Sequence, residues 1–372
     1  MNIIFTVTND LSYDQRMHRI CTTLAEHGYQ VTLAGRVLPE SRPLKERSFR
    51  QIRLRCFFRK GFLFYAEYNI RLFFFLLFLK KWDAVGTIDL DTMPAGYFAS
   101  LLRRKKRVYD AHEYFTEVPE VVHRRLVKSF WELTARLFIP RYRHAYTVGP
   151  VLAEILTKRY GVEFGVVRNV PNILEPVIRR VQQPPYVILY QGALNEGRGI
   201  GSLLRAMTLS GDDFQLLIAG EGDLSANLRT LAKELVLGDK VKFLGYVTPD
   251  ELKNITFSAW LGINLLENRG LSYYYSLANK FFDFVQAGVP VLTMNFPEYR
   301  ALNQVFGVAV LIEKATPEAI AAALISLKNN PDAHARLSEA CVRAAREWNW
   351  DRDSRTLLKI WGEVSGSLTG ND

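Results

Sequence analysis

Short runs of aliphatic and β-branched residues alternate with longer amphipathic stretches along the whole chain of 372 residues. Such alternation is typical of βα units, in which a helix crosses over between two parallel strands. The pattern therefore predicts an α/β protein built on parallel sheets, and it occurs twice. The predicted strands are residues 3–8, 30–35, 51–57, 84–88, 107–112 and 145–148, then 186–193, 214–220, 241–245, 261–266, 290–294 and 308–312.

Polar residues and prolines concentrate at residues 168–172 and 181–185, between the two series of strands. This change of composition predicts a linker between two domains, and the chain is long enough for two. Two doubly wound domains would leave a cleft that faces the carboxyl ends of both sheets. The predicted organisation is an N-terminal domain (1–168), a linker (169–185), a C-terminal domain (186–345) and a C-terminal helix (346–372) that packs back on the N-terminal domain, with the first helix of the chain at residues 13–27.

Three scattered cysteines are too few for a disulfide framework or a zinc cluster, and they suit a reducing compartment. The first ten residues lack the basic region, apolar core and cleavage site of a secretory signal, so we expect a first strand there. The most apolar run, residues 72–79, is far shorter than the roughly 20 residues that a membrane-spanning helix needs. These features predict a cytoplasmic chain that does not span a membrane.

The formal net charge of +10 arises entirely from the first half of the chain. Residues 1–168 contain 28 lysines and arginines against 16 acidic residues, whereas the remainder contains 20 against 22. Four cations flank an apolar helix at residues 59–81, and residues 103–107 are all basic. We interpret this half as a surface for an anionic membrane. Solvated charges around a core helix are the alternative, and no nucleic-acid-binding motif is present.

A glycine-rich turn opens the second domain between its first strand and the next helix. Amides at a helix N-terminus attract phosphate, and Arg198 would add a full positive charge. A second such turn contains Gly220 and Glu221. Ordinary turns without a ligand are the alternative, since neither the dinucleotide fingerprint nor the Walker loop occurs. The glycines of this turn and of the helix start are Gly192, Gly197, Gly199 and Gly201.

Residues 276–291 read SLANKFFDFVQAGVPV and predict polar residues at a strand end followed by a helix. Phe281, Phe284 and Val285 form the buried stripe of that helix. Asp283 lies off the stripe near the helix start, where a carboxylate is favoured and can accept two hydrogen bonds from a sugar diol. A solvated helix charge is the alternative.

This segment resembles the donor-site segment of family 4 glycosyltransferases, retaining enzymes of the two-domain GT-B fold. Their pattern is close to S-L-P-N-K-x-x-E-Y-x-x-A-G-x-P-V. The resemblance implies two doubly wound Rossmann-like domains facing a central cleft, with the nucleotide-sugar on the C-terminal domain and neither cofactor nor metal. It extends along most of the chain through TNDLSYDQRMHRI, VYDAHEYFTEVPE, RNVPN, YQGALNEGRG, LIAGEGD, VKFLGYV and a tryptophan-rich last helix.

For the donor, the resemblance implies that Asp283 binds the ribose and that Arg198 acts on the diphosphate as a catalytic residue. Three positions depart from the family, which commonly has glutamate at Asp283, an acidic residue at Tyr275 and a basic residue at Ala193. The lost charge would be partly replaced by Asn279 and Lys280. The complete set of expected donor-binding residues is Gly192, Gly197, Gly199, Gly220, Glu221, Tyr275, Ser276, Asn279, Lys280 and Asp283.

For the acceptor side, the resemblance implies a role for Asp110-Ala-His-Glu113, with His112 as the catalytic candidate. A structural hydrogen-bonding histidine is the alternative. Asn9, Asp10 and Arg16 flank the first turn, where the family's glycine-rich loop approaches both substrates, although no such glycines occur here.

Asp89 and Asp91 match the DxD metal motif of a different glycosyltransferase fold. In a GT-B chain the diphosphate is generally neutralised by helix dipoles and basic residues. We therefore reject a metal site and expect a strand-end turn or an acceptor contact.

The predicted function is retaining transfer of a sugar from a nucleotide-diphosphate-sugar to a sugar or lipid-linked sugar acceptor. Surface polysaccharide or glycolipid synthesis at the inner face of the cytoplasmic membrane fits the basic first half. The alternatives are a catalytically silent nucleotide-sugar-binding partner, motivated by Tyr275 and Ala193, and a GT-B-like sugar-nucleotide epimerase.

Overall fold

The computed structural model describes residues 1–12, 14–173 and 183–366, and the chain divides into two compact units. Unit 1 comprises Met1–Arg168 and a C-terminal segment that begins at Asp353. Unit 2 comprises Asn169–Arg352, which is wider than the predicted second domain at both ends. Most of the predicted linker, the end of the predicted C-terminal helix and Tyr13, the predicted start of the first helix, lie outside the described residues.

Unit 1 is built on one parallel sheet. Its strands are β1 (Asn2–Asp10), β2 (Gln30–Arg36), β3 (Arg50–Leu54), β4 (Ala84–Ile88), β5 (Lys106–Ala111), β6 (His144–Thr147) and β7 (Phe164–Val166). Its helices are α1 (Gln15–Glu26), α2 (Gly61–Phe78), α3 (Met93–Leu102), α4 (Pro119–Val122), α5 (Arg125–Phe138) and α6 (Pro150–Tyr160). The strand order is β3-β2-β1-β4-β5-β6-β7, so the winding reverses between β1 and β4.

Helix α2 lies where the sequence predicts an apolar helix between flanking cations, and it extends well beyond the most apolar run at residues 72–79. By length and composition alone, α2 could cross a membrane, and no other helix of the described residues meets both criteria. Its buried stripe, Phe64, Tyr68, Leu72 and Leu76, packs against Trp82 in the core of unit 1. One face of α2 is therefore part of the core of a folded domain.

Unit 2 is built on a second parallel sheet. Its strands are β8 (Tyr186–Gln191), β9 (Phe214–Ala219), β10 (Val241–Gly245), β11 (Leu261–Asn264), β12 (Val291–Met294) and β13 (Ala309–Ile312). Its helices are α7 (Ile200–Leu209), α8 (Ser225–Glu234), α9 (Pro249–Ser258), α10 (Leu271–Tyr274), α11 (Asn279–Gln286), α12 (Pro297–Phe306), α13 (Pro317–Lys328) and α14 (Pro331–Ala345). The strand order is β10-β9-β8-β11-β12-β13, with the reversal between β8 and β11.

The α/β prediction is confirmed, and each predicted strand overlaps an observed one. Strand β7 is an addition, because three residues at a sheet edge give too short an apolar pattern to recognise. Both units are doubly wound and Rossmann-like, and ligands in such sheets bind beyond the carboxyl ends of the strands, at the reversal of strand order.

The last helix, α15 (Trp350–Ser365), completes unit 1. Trp361 is fully buried and packs edge-on against Phe5 of β1, with ring centroids 5.2 Å apart. Arg168 forms an ion pair with Asp353 at 2.6 Å. Because Phe5 and Trp361 come from opposite ends of the chain, the N-terminal sheet depends on the C-terminal helix for part of its core.

We predict that Trp361→Ala lowers the stability of unit 1 by about 3–5 kcal/mol, the usual cost of truncating a buried tryptophan. Thermal denaturation followed by circular dichroism measures the change. Lys359→Ala, at an exposed position of the same helix, is the matched control and should leave the transition unchanged. Equal transitions for the two variants would contradict this role of the helix.

Candidate functional site

Two glycine-containing turns meet at the carboxyl ends of β8 and β9. The amide of Gly192 donates to the carbonyl of Ala219 at 2.9 Å, which joins the two turns. Gly220 has a φ of +139°, and a Cβ atom there would collide with the carbonyl oxygen of Gly192. Only glycine permits this approach. Gly192 is exposed and Gly220 is partly exposed, so the two turns bring backbone to the surface next to the reversal of strand order.

Arg198 lies just before α7, between two glycines of the first turn. Gly199 caps α7 with a φ of +68°, and a Cβ atom there would lie 2.9 Å from the carbonyl oxygen of Leu265. The guanidinium of Arg198 lies over the ring of Tyr273, 5.3 Å from its centroid. Its buried Nε has no hydrogen-bond partner among the described residues. A cation and a helix N-terminus thus occur together, which suits a phosphate.

Lys280 contributes a second positive group from the first turn of α11. Its Nζ lies 3.9 Å from the ring centroid of Tyr190, and a Cβ atom on Gly192 would lie 3.4 Å from Nζ. Burial and the charge of Arg198 lower the pKa of Lys280 to about 7, against the opposing effect of Asp283. An anion next to both cations would relieve their repulsion.

Asp283 is oriented by a short polar chain. Its carboxylate accepts a hydrogen bond of 3.2 Å from the amide of Gln191, the buried last residue of β8. The amide oxygen of Gln191 in turn accepts from the hydroxyl of Thr256 in α9 at 2.9 Å. The sequence analysis missed both partners. The available signal was a polar residue at the end of an otherwise apolar strand.

The side chains of the other predicted donor residues differ in exposure and in hydrogen bonding. Glu221 is bound by both terminal nitrogens of Arg229, the shorter distance being 2.5 Å, and this pairing lowers the pKa of Glu221 to about 2. Ser276 donates to a backbone carbonyl of the preceding turn at 2.8 Å. Tyr275 is partly exposed at the end of α10, and Asn279 is exposed at the start of α11. The side chains of Glu221 and Ser276 are therefore engaged within unit 2.

In unit 1, a buried ion pair lies at the carboxyl end of β5. Arg16 of α1 binds Asp110 at 3.0 Å, and both side chains are at most 5% exposed. Arg16 also donates to the carbonyl of Val167 at 2.9 Å. Burial alone would raise the pKa of Asp110, but Arg16 and His112 hold it below its usual value. This pair links the first helix to the edge where β5 ends.

His112 lies between two carboxylates. Its Nε2 is 3.1 Å from Asp110, its Nδ1 is 3.9 Å from Asp89, and its backbone amide donates to Asp89 at 2.9 Å. Burial disfavours the imidazolium, yet the two carboxylates raise the pKa of His112 to about 9. The raised pKa favours the imidazolium, which donates hydrogen bonds, over the neutral imidazole that a general base requires.

Asp89 and Asp91 follow β4 directly. Asp89 has a φ of +52°, a left-handed conformation that is unusual outside glycine. Burial raises its pKa well above the ordinary value. Asp91 accepts from the hydroxyl of Thr8 at 2.5 Å, and burial raises its pKa to about 6. Within the described ranges, no cluster of three or more acidic, histidine or cysteine side chains is arranged to hold a metal ion.

Three further acceptor-side predictions lie at the same edge of the sheet or next to it. Asp10 binds Arg53 at 2.6 Å and accepts from Ser41, so its carboxylate connects β1, β3 and a loop. Asn9 and Glu113 are exposed. Asp10 therefore holds local structure, whereas Arg16, Asp110 and His112 form the charged cluster of unit 1.

Two family models match the chain. The model described as glycosyl transferases group 1 matches residues 175–348, and the model described as Glycosyltransferase Family 4 matches residues 15–176. Together they account for nearly the whole chain. The chain is a GT-B glycosyltransferase of the family 4 type.

Curated relatives match this glycosyltransferase over short stretches. An uncharacterized glycosyltransferase of Methanocaldococcus jannaschii is 41% identical over 81 residues, 21% of each chain. The Campylobacter jejuni N-acetylgalactosamine-N,N'-diacetylbacillosaminyl-diphospho-undecaprenol 4-alpha-N-acetylgalactosaminyltransferase is 32% identical over 101 residues, 27% of this chain and 26% of its own. The match spans about a quarter or less of the length of either relative.

Solved structures match the glycosyltransferase over nearly its full length. Sucrose-phosphate synthase of Thermosynechococcus elongatus has a TM-score of 0.77 at 17% identity, covering 99% of this chain and 100% of its own. Anabaena HepE, solved with UDP and glucose, has a TM-score of 0.74 at 13% identity, covering 98% and 99%. At these identities the likeness establishes the GT-B fold.

We predict that His112 titrates near pH 9, because two carboxylates stabilise its imidazolium. NMR titration of the imidazole resonances measures this value, and Asp110→Asn should lower it by removing the carboxylate with the larger effect on His112. His18, whose pKa is lowered by burial and by Arg47, is an internal reference that titrates below the ordinary histidine value. A His112 midpoint at or below that of His18 would refute the predicted charge state.

Proposed function

We propose that this glycosyltransferase binds a nucleotide-diphosphate-sugar on unit 2 and transfers the sugar, with retention of anomeric configuration, to an acceptor bound on unit 1. The reaction needs neither a metal nor another cofactor. The observation that carries the proposal is the grouping of Arg198, Lys280 and Asp283 at one edge of the sheet of unit 2.

The donor fits these three side chains by charge and hydrogen bonding. The diphosphate pairs with Arg198 and Lys280 and with the amides before α7, while the ribose diol donates to the carboxylate of Asp283. Gln191 holds that carboxylate in place. The neighbour solved with UDP and glucose supports a nucleotide-sugar as the donor class.

In the transfer step, the acceptor hydroxyl oxygen bonds to the anomeric carbon as the bond from that carbon to the diphosphate breaks. The hydroxyl proton leaves with the diphosphate. Arg198 and Lys280 stabilise the charge that develops on the leaving diphosphate. The protonated His112 donates a hydrogen bond to a sugar oxygen and keeps the reacting groups oriented.

For the acceptor, we propose a sugar or a lipid-linked sugar of surface polysaccharide or glycolipid synthesis. The enzyme works in the cytoplasm, peripherally on the inner face of the cytoplasmic membrane. The excess of positive charge in residues 1–168 supports this location, because anionic lipids attract basic surfaces. The lipid-linked substrate in the name of the Campylobacter jejuni relative supports the acceptor class.

A second function, a nucleotide-sugar-binding partner without turnover, is favoured by Tyr275 and Ala193, where the family commonly has charged residues. Donor consumption separates the two functions. Release of the nucleotide diphosphate from its sugar in the presence of membrane glycolipids supports the transferase, whereas binding without release under the same conditions supports the silent partner.

We predict that Arg198→Ala and Asp283→Ala each weaken nucleotide-diphosphate binding by roughly 10- to 150-fold, since each removes hydrogen bonds to a charged group worth about 1.5–3 kcal/mol. A thermal-shift screen with UDP, GDP, ADP and CMP, and then calorimetry, measures the loss. Arg205→Ala is the matched control, because Arg205 is an exposed cation of α7 that follows Arg198 by two helical turns.

Wild-type binding by Arg205→Ala with loss in the two site variants supports the donor site. Undiminished binding by Arg198→Ala and Asp283→Ala would refute the assignment of the donor to this edge of unit 2.

We also predict that nucleotide-diphosphate binding takes up a proton at Lys280. In the protein without a nucleotide, the pKa of Lys280 is about 7, and the bound diphosphate raises this pKa. The contribution of Lys280 to affinity is therefore complete below about pH 7 and is lost as the pH rises through the higher pKa of the complex. Each unit of that rise corresponds to about a tenfold loss of affinity at high pH.

Calorimetry in two buffers of different ionisation enthalpy counts the protons taken up. Lys280→Arg is the control, because arginine stays protonated, so this variant should bind without proton uptake. An unchanged proton count in Lys280→Arg would show that another group takes up the proton.

A further inference from the structure

Helix α2 is apolar on both of its long faces. The buried stripe faces the core of unit 1, as described above. On the opposite side, Phe62 is 69% exposed, Ile70 59%, Phe74 50% and Phe78 74%. A helix at the surface of a water-soluble domain normally presents polar residues on its outer face. The outer face of α2 is therefore suited to a surrounding less polar than water.

Exposed apolar side chains continue onto two neighbouring helices. Leu126 and Leu133 of α5 are 88% and 57% exposed, and Leu102 of α3 is 64% exposed. The rings of Phe62 and Phe130 lie 6.0 Å apart and connect α2 to α5. We call the exposed apolar side chains of α2, α3 and α5 the apolar face.

The apolar face is local to one part of the molecule. Of the 21 large apolar side chains that are exposed among the described residues, 14 lie between residues 57 and 137. Those of unit 2 are spread over separate elements, such as Leu209 of α7 and Val305 of α12. A concentrated patch of this kind marks an interaction surface, whereas scattered ones do not.

Exposed cations border the apolar face. Arg59 and Lys60 precede α2, and Lys80 and Lys81 follow it. In the part of the chain that the structure describes, none of these four side chains pairs with a carboxylate. The basic groups thus lie at both ends of a helix about 27 Å long, estimated at 1.5 Å per residue. This arrangement places them at the level of lipid headgroups when the helix lies flat in a membrane surface.

We propose that the apolar face docks unit 1 on an anionic lipid bilayer, with α2 lying in the plane of the interface. The outer phenylalanines of α2 enter the boundary between headgroups and acyl chains, and the flanking cations bind anionic headgroups. The inference deepens the proposed membrane location by naming its surface, and it rests on the proposed function for the acceptor that the enzyme meets there.

Charge complementarity favours a bilayer over a second copy of the chain. Joining two copies through the apolar face would bring their unpaired cations towards one another, and like charges across an interface are unfavourable. A layer of anionic headgroups neutralises the same cations. The basic border therefore distinguishes lipid from self-association as the partner.

Co-sedimentation of the full chain with vesicles tests the proposal. Vesicles of phosphatidylcholine with about 30 mol% phosphatidylglycerol should bind the protein at about 0.05 M NaCl and much less at about 0.5 M, because salt screens the cations. Pure phosphatidylcholine vesicles should bind weakly. Absence of binding to the phosphatidylglycerol vesicles at low salt would overturn the proposal.

Two double variants assign the binding to the apolar face and its border. Ile70→Ser with Phe74→Ser removes exposed apolar groups, and Lys80→Glu with Lys81→Glu reverses two border charges. Each should lower the vesicle partition coefficient at least roughly tenfold. Leu209→Ser with Val305→Ser, at exposed apolar positions of unit 2, is the matched control and should bind as the wild type does. Wild-type partitioning by both test variants would overturn the proposal.

Two further measurements distinguish membrane docking from self-association and from the proposed donor site. Sedimentation equilibrium without lipid should give a monomer, and a dimer that dissociates in the Ile70→Ser, Phe74→Ser variant would instead make the apolar face a self-association surface. Nucleotide thermal shifts, measured on the same variants, report the donor site and the folding of unit 2. Vesicle binding without any nucleotide shift would support docking while contradicting the proposed donor site.

Discussion

All strands of each sheet run in the same direction. Their carboxyl ends therefore lie along one side of the sheet, which we call its edge. Side chains distant along the chain meet at that edge. Arg16 and Asp110 form their ion pair across 94 positions, and Gln191 and Asp283 hydrogen-bond across 92. The candidate sites are therefore products of sheet topology, and a local motif supplies only part of each.

The carboxyl ends of the two sheets differ in electrostatic character. The difference agrees with the proposed binding of the donor to unit 2 and of the acceptor to unit 1. In unit 2, two cations, Arg198 and Lys280, repel each other, and burial makes the charge of Lys280 costly. Such a site is stabilised by an anion as strong as a diphosphate. In unit 1, Arg16 and His112 are already paired with the carboxylate of Asp110. That edge has less need of an anion and presents donors and acceptors suited to sugar hydroxyls.

The sequence predicted those features that local physical chemistry determines. Alternating apolar runs located the strands, and the glycines beside Arg198 located the turn before α7. Features set by tertiary contacts were not predictable. Nothing local indicates that Glu221 is bound by Arg229, or that Gln191 orients Asp283. The raised pKa of His112 depends on Asp110 and on Asp89, and Asp89 follows a different strand, β4. A pattern of residues identifies candidates, whereas distances decide which of them act together.

Packing in the core of unit 1 accounts for only one of the two faces of helix α2. The stripe that contains Tyr68 and Leu72 is fully buried, and its loss would leave a cavity in unit 1. The outer residues Phe74 and Phe78 contribute little to that core, since half or more of each side chain is exposed. Exposed phenylalanines do not improve solubility, and the unpaired cations beside them do not improve packing. A requirement outside the fold must account for both, and an anionic interface is the environment that stabilises apolar and basic groups side by side.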